Sequence, residues 1–106
     1  MHNFMKTITV EELKAKIDAG EHVNLVDVRE PHEHAEFNIG GLLLPLGNVQ
    51  TMQIDAIEDL RDQTVYVYCR SGNRSGQACL MLDTFGFKDT YNVVGGMLAW
   101  KEKFQG

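Results

Sequence analysis

A chain of 106 residues is long enough for one layered core, so a single domain is expected over residues 1–106. Ten basic and fifteen acidic side chains give a net charge of −5 with neither sign gathered in blocks, which excludes a nucleic-acid surface and a polybasic membrane patch. The stretch Met1–Thr7 lacks the basic and apolar regions of a signal peptide, and no run approaches the roughly 18 apolar residues of a membrane span, so a cytoplasmic protein with two free thiols is expected.

In chain order, Thr9-Val10-Glu11-Glu12 has the spacing of a capping box, and Val10, Leu13 and Ile17 form one apolar helical stripe that Gly20 stops. Val23 to Val28 is a β-rich run. Pro31 suits the first turn of a short helix through His32 to Phe37. Leu42-Leu43-Leu44 is an apolar segment that periodicity assigns to neither helix nor strand. Ile54, Ile57 and Leu60 recur every three residues, as in a further helix, and Val65 to Tyr68 alternates Val and Tyr as a buried strand. The segment Ser75 to Leu82 reads as a helix ending near Phe85-Gly86, Thr90 to Val94 as a last strand, and Met97 to Phe104 as a closing helix. Strands alternating with helices over short connections predict an α/β fold, a small, mostly parallel sheet with helices on both faces.

The strand Val65–Tyr68 runs directly into Cys69 and then, through a short polar loop, into a helix. In open α/β sheets, the carboxyl ends of strands face a crevice into which the following helices point their free N–H groups. A thiol there is favoured as thiolate by the helix amino terminus, by convergent amides and by Arg70 and Arg74. Gly72 permits a positive φ, and small or polar Ser71, Asn73 and Ser75 leave room for successive N–H groups to surround the sulfur. The two arginines would also attract an anionic substrate and match the oxygens of a sulfonate-like or phosphate-like group. Cys79 lies in the apolar stretch Ala78 to Leu82 and is read as a small core residue.

Cys69-Arg70-Ser71-Gly72-Asn73-Arg74-Ser75 resembles the active-site loop of the rhodanese, or thiosulfate sulfurtransferase, family. Asp27-Val28-Arg29-Glu30, with Glu36-Phe37 and the segment from Gly40-Gly41 to Pro45-Leu46, is similar to the family's first signature; Tyr91-Asn92-Val93-Val94-Gly95-Gly96 with Trp100 resembles its last. Where the family commonly has Gly-His-Ile before a Gly-Ala step, this chain has Asn38-Ile39-Gly40-Gly41-Leu42, so the packing of that turn is expected to differ. The resemblance implies a rhodanese-like sheet, Cys69 as nucleophile and Arg70, Ser71, Gly72, Asn73, Arg74 and Ser75 as the substrate-binding loop, with the Gly95-Gly96 turn packed close to it. It implies neither cofactor nor metal.

The reaction so implied moves sulfane sulfur from thiosulfate, or a similar small anionic donor, through a Cys69 persulfide to a thiophilic acceptor such as cyanide, a small thiol or a thioredoxin-like protein. A sulfur-carrier module that hands persulfide to a protein partner is the alternative. A cysteine phosphatase or arsenate reductase is disfavoured, because the phosphatase signature has one more residue between Cys and Arg than the four between Cys69 and Arg74. A redox pair of Cys69 with Cys79 is disfavoured by the apolar setting of Cys79.

Asp27 and Arg29 alternate on a strand and so share a face near the crevice. They are expected as a supporting ion pair, with Asp27 bracing the loop through Arg74. His32 and His34, at i and i+2, do not face each other and are read as a solvated helix face, not as metal ligands.

Overall fold

The computed structural model describes residues 5–105; Met1 to Phe4, part of the stretch inspected for a targeting signal, lie outside them. Five strands, β1 (Lys6–Ile8), β2 (Asn24–Asp27), β3 (Leu42–Leu43), β4 (Thr64–Tyr68) and β5 (Asp89–Val93), form one sheet in the order β1-β5-β4-β2-β3, and every neighbouring pair is parallel. The helices are α1 (Val10–Asp18), α2 (Pro31–Glu36), α3 (Leu46–Gln50), α4 (Asn73–Thr84) and α5 (Gly96–Phe104).

Alternation along β4 divides the core into two. Val65 and Val67, and Cys69 just beyond, join a buried cluster with Val49 of α3 and Ala78, Cys79 and Leu82 of α4. Tyr66 and Tyr68 point the other way, to a cluster with Val10 and Leu13 of α1 and Met97 of α5. Both sheet faces are therefore covered, as an all-parallel sheet requires.

The capping box of α1 is present as expected: Glu12 N–H donates to the Thr9 hydroxyl at 3.1 Å, and Thr9 N–H to the Glu12 carboxylate at 2.9 Å. The further helix expected from Ile54, Ile57 and Leu60 is a 3₁₀ helix over Asp55–Leu60. The three-residue recurrence of Ile54, Ile57 and Leu60 is the physical reason, since three residues per turn put all three on one side. Leu42–Leu43 resolves as a strand. β1 and α3 were not anticipated: β1 is three residues long with only Ile8 buried, and α3 is five residues long with a glycine at its second position.

Candidate active site

Cys69 follows the last residue of β4 and is fully buried. Its Sγ accepts from Gly72 N–H at 3.1 Å and Ser75 N–H at 3.3 Å, and lies 3.3 Å from Ser75 Oγ. Gly72 makes this curl feasible. It caps α4 with φ +100°, and a Cβ there would come within 3.2 Å of Gly95 N. The sulfur thus rests at the amino terminus of a twelve-residue helix, where backbone N–H groups lack helical partners.

Burial pushes the Cys69 thiol up, but hydrogen bonding with the Ser75 hydroxyl and with the N–H groups of Ser75, Gly72 and Ser71 outweighs it, so the thiol lies below its ordinary value. Of the two arginines expected to share in this, Arg74 does so only as a charge acting across space on Cys69. Arg74 Nη1 and Nη2 donate to the two Glu33 oxygens at 2.7 and 2.9 Å, and this fork-to-fork pair turns the guanidinium charge toward α2. Arg70 is exposed, with no carboxylate partner among the described residues. Cys79 is buried and pushed up to about 12, as suits a core thiol.

The carboxyl end of β5 and the start of α5 form the other wall. Met97 N–H donates to Cys69 O at 3.0 Å and Leu98 N–H to Arg70 O at 2.9 Å, so free amides of α5 hold the first two carbonyls of the loop. This approach requires glycine at 96: φ is +52°, and a Cβ would stand 2.5 Å from Cys69 O. Behind the loop, buried Asn92 accepts from the Ser75 hydroxyl at 2.5 Å and donates from Nδ2 to Gly72 O at 3.0 Å.

A rhodanese-like domain model matches residues 9–103. The chain belongs to the rhodanese-like domain family. It is 42% identical over 99 residues to "Putative sulfurtransferase YtwF" of Bacillus subtilis, covering 92% of this chain and 91% of that protein. It is 37% identical over 97 residues to "Putative sulfur carrier protein YrkF" of the same organism, covering 91% of this chain but only 51% of that one, about half its length. A rhodanese-like domain protein of Staphylococcus aureus has a similar crystal structure, with a TM-score of 0.79 at 33% identity over 91% of each chain. Both curated names concern sulfur handling.

The expected Asp27–Arg29 pair of this rhodanese domain is present, with Nε and Nη2 donating at 2.9 and 2.8 Å between buried side chains. The brace from Asp27 to Arg74 is absent and is corrected: Glu33 takes Arg74, whereas Asp27 also meets His34 Nδ1 at 2.8 Å. His34 is accordingly no member of a solvated face. Arg29 Nη2 further donates to Phe37 O at 2.6 Å, tying the end of α2 to β2. The residues the sequence reading missed are Glu33 and Asn92. Glu33 was hidden among five charged or imidazole side chains, but a polar Asn92 inside a strand beside the Gly95-Gly96 turn was a usable signal.

The departure at Asn38 has a structural counterpart in a locally bonded turn. Asn38 Oδ1 accepts from Gly40 N–H at 2.8 Å, and Gly40 O accepts from the Tyr68 hydroxyl at 2.8 Å. Trp100 is half-buried, packing against the cluster around Met97 and edge-on to Phe104. Beside the loop opens a shallow cleft of about 100 Å³ walled by Arg29, Glu33, Phe37, Arg70, Met97 and Lys101, room for a small anion and less than a drug-sized ligand fills.

Proposed function

We propose that the chain is a thiosulfate-type sulfurtransferase acting by double displacement at Cys69. The observation that carries this reading is the sulfur itself, a buried thiol held by amides at a helix amino terminus and lying below its ordinary pKa. The Cys69 thiolate attacks the outer sulfur of thiosulfate, the S–S bond breaks, and sulfite leaves with the bonding pair. A Cys69 persulfide anion remains. Cyanide or a thiolate then attacks the outer sulfur, forms thiocyanate or a small persulfide, and returns the Cys69 thiolate. The loop amides stabilise the anion in both resting forms, as an oxyanion hole stabilises developing charge.

Arg70 receives the sulfonate end of the donor. Its side chain walls the cleft, and Lys101 supplies a second cation there, lying 4.7 Å from the centre of the Phe37 ring. Because the loop covers Sγ, substrate enters as exposed Arg70, Ser71 and Asn73 give way. Arg74, committed to Glu33, is not aimed at a phosphoryl group, which weighs against phosphatase chemistry. The acceptor is a thiol or a thioredoxin-like protein in a reducing, cytoplasmic setting. No helix of the described residues is long and apolar enough to cross a membrane.

A sulfur-carrier role is the second reading, favoured by the similarity to YrkF. Initial rates with thiosulfate and cyanide varied together test the first: parallel double-reciprocal lines, abolished in Cys69→Ser, are expected. Intersecting lines would refute double displacement. Slow cyanide turnover with fast transfer to a protein would favour the carrier.

A further inference from the structure

Asn92 touches neither the sulfur nor the cleft, yet its amide is in contact with both ends of the loop's helical turn. Its orientation is fixed by chemistry. Gly72 O can only accept, so the atom 3.0 Å from it must be Nδ2; the 2.5 Å contact with Ser75 Oγ is too short for N–H···O and suits O–H···O. The Asn92 Oδ1 therefore faces Ser75, and Ser75 must donate. A serine hydroxyl has one proton. While that proton lies on Asn92, the 3.3 Å contact with Cys69 can be bonded only by the thiol S–H donating to Ser75 Oγ.

We propose that Asn92 is a positioning residue whose Oδ1 claims the Ser75 hydroxyl proton while Cys69 is a thiol and releases it to the sulfur when Cys69 ionises. The resting chain runs from S–H to Ser75 Oγ and from Ser75 O–H to Asn92 Oδ1, each bond polarising the next. On ionisation the sulfur's proton leaves to a solvent water. The Ser75 hydroxyl then turns about its Cβ–Oγ bond to donate to the thiolate, and no bond between heavy atoms is made or broken. The cost of this turn is a buried Oδ1 left without a donor. Asn92 thus sets how readily the nucleophile forms, while its Nδ2 holds the loop. The inference rests on Cys69 as the reacting thiol of the proposed function.

The charged and titratable groups around the sulfur are few. Arg74 of α4 is paired with Glu33 of α2, Asp27 with Arg29 at the end of β2, and Cys79 lies behind in the core. Arg70 and, on α5, Lys101 line the cleft. None of these groups is itself altered when only residues 75 and 92 are changed.

The test is a thiolate titration by ultraviolet absorbance of the reduced protein, which needs no sulfur donor and so stands or falls separately from sulfur transfer. Cys79, pushed up to about 12, does not contribute near neutral pH. Asn92→Ala should move the Cys69 midpoint down by about one pH unit, the size of one net hydrogen bond. Asn92→Asp, which keeps the acceptor, should not move it down. In a Ser75→Ala background, Asn92→Ala should leave the midpoint unchanged. If Asn92→Ala does not fold, Asn92→Val, suited to a strand, takes its place with the same expectation. A midpoint that rises, stays put, or shifts equally with and without the Ser75 hydroxyl would overturn the proposal, because a merely structural Asn92 would act by loosening the loop amides.

Discussion

Glu33→Gln is the substitution whose effect can be worked most fully from the structure. The carboxylate accepts both guanidinium N–H groups of Arg74, and the Arg74 hydrogen bond, opposed by partial burial and aided by Glu30 N–H and the positive charges of Arg74 and Arg29, holds Glu33 at about 2 instead of the ordinary 4.5. At about 1.4 kcal/mol per pH unit, the full difference corresponds to about 3 kcal/mol of folding free energy. The Glu33 and Arg74 side chains are 19% and 30% exposed, so solvent screening reduces this to about 1–2 kcal/mol. The sign follows from the depressed folded-state value. Above the unfolded pKa the stabilisation is complete, and it is lost as pH falls from about 4.5 toward 2.

Urea unfolding of wild type and Glu33→Gln at pH 7 and at steps down toward the acid limit should therefore show a gap of about 1–2 kcal/mol that closes over that window. Turnover should also fall, because Arg74 is the second residue of α4 and its clamp steadies the turn that presents Ser75. Equal stability of the two proteins at pH 7, or a gap that persists at low pH, would refute the assignment of Glu33 as the charged partner of Arg74.

Gly96→Ala should destabilise by about 3 kcal/mol or more in denaturant unfolding, since it adds strain at φ +52° to a backbone clash at 2.5 Å, whereas Gly47→Ala, with nothing within 4 Å, should be neutral or slightly stabilising. Asp27→Ala leaves the Arg29 guanidinium buried without its carboxylate, and the same unfolding assay should register a loss of about 3–5 kcal/mol. Arg70→Ala should raise KM for thiosulfate while a persulfide can still form; an unchanged KM would remove Arg70 from donor recognition.

The catalytic turn was legible because its signals are local. Alternating Val and Tyr fix which residues of β4 face α4, Cys69 continues that alternation, and Gly72 marks the one place where the loop needs a left-handed residue. The capping box of α1 is equally local. What escaped the sequence reading depends on contacts across the chain. Arg74 finds Glu33 41 positions away, and nothing in the spacing of Glu30, Glu33 and Glu36 tells which one faces the loop. Proximity in sequence suggested that Arg70 and Arg74 charge the sulfur, but the fold pairs Arg74 with Glu33 of α2, so that its charge reaches Cys69 only across space while amides and the Ser75 hydroxyl bond the sulfur directly. β1 escaped because a three-residue parallel edge strand draws its stability from β5, not from a pattern of its own.

A Cys69 persulfide would be seen by incubating the reduced protein with thiosulfate, removing the excess and recording its intact mass beside a Cys69→Ser variant. The wild type should gain the mass of one sulfur atom, cyanide should discharge it, and the variant should gain nothing. An unchanged wild-type mass, or the same gain in Cys69→Ser, would contradict a Cys69 persulfide.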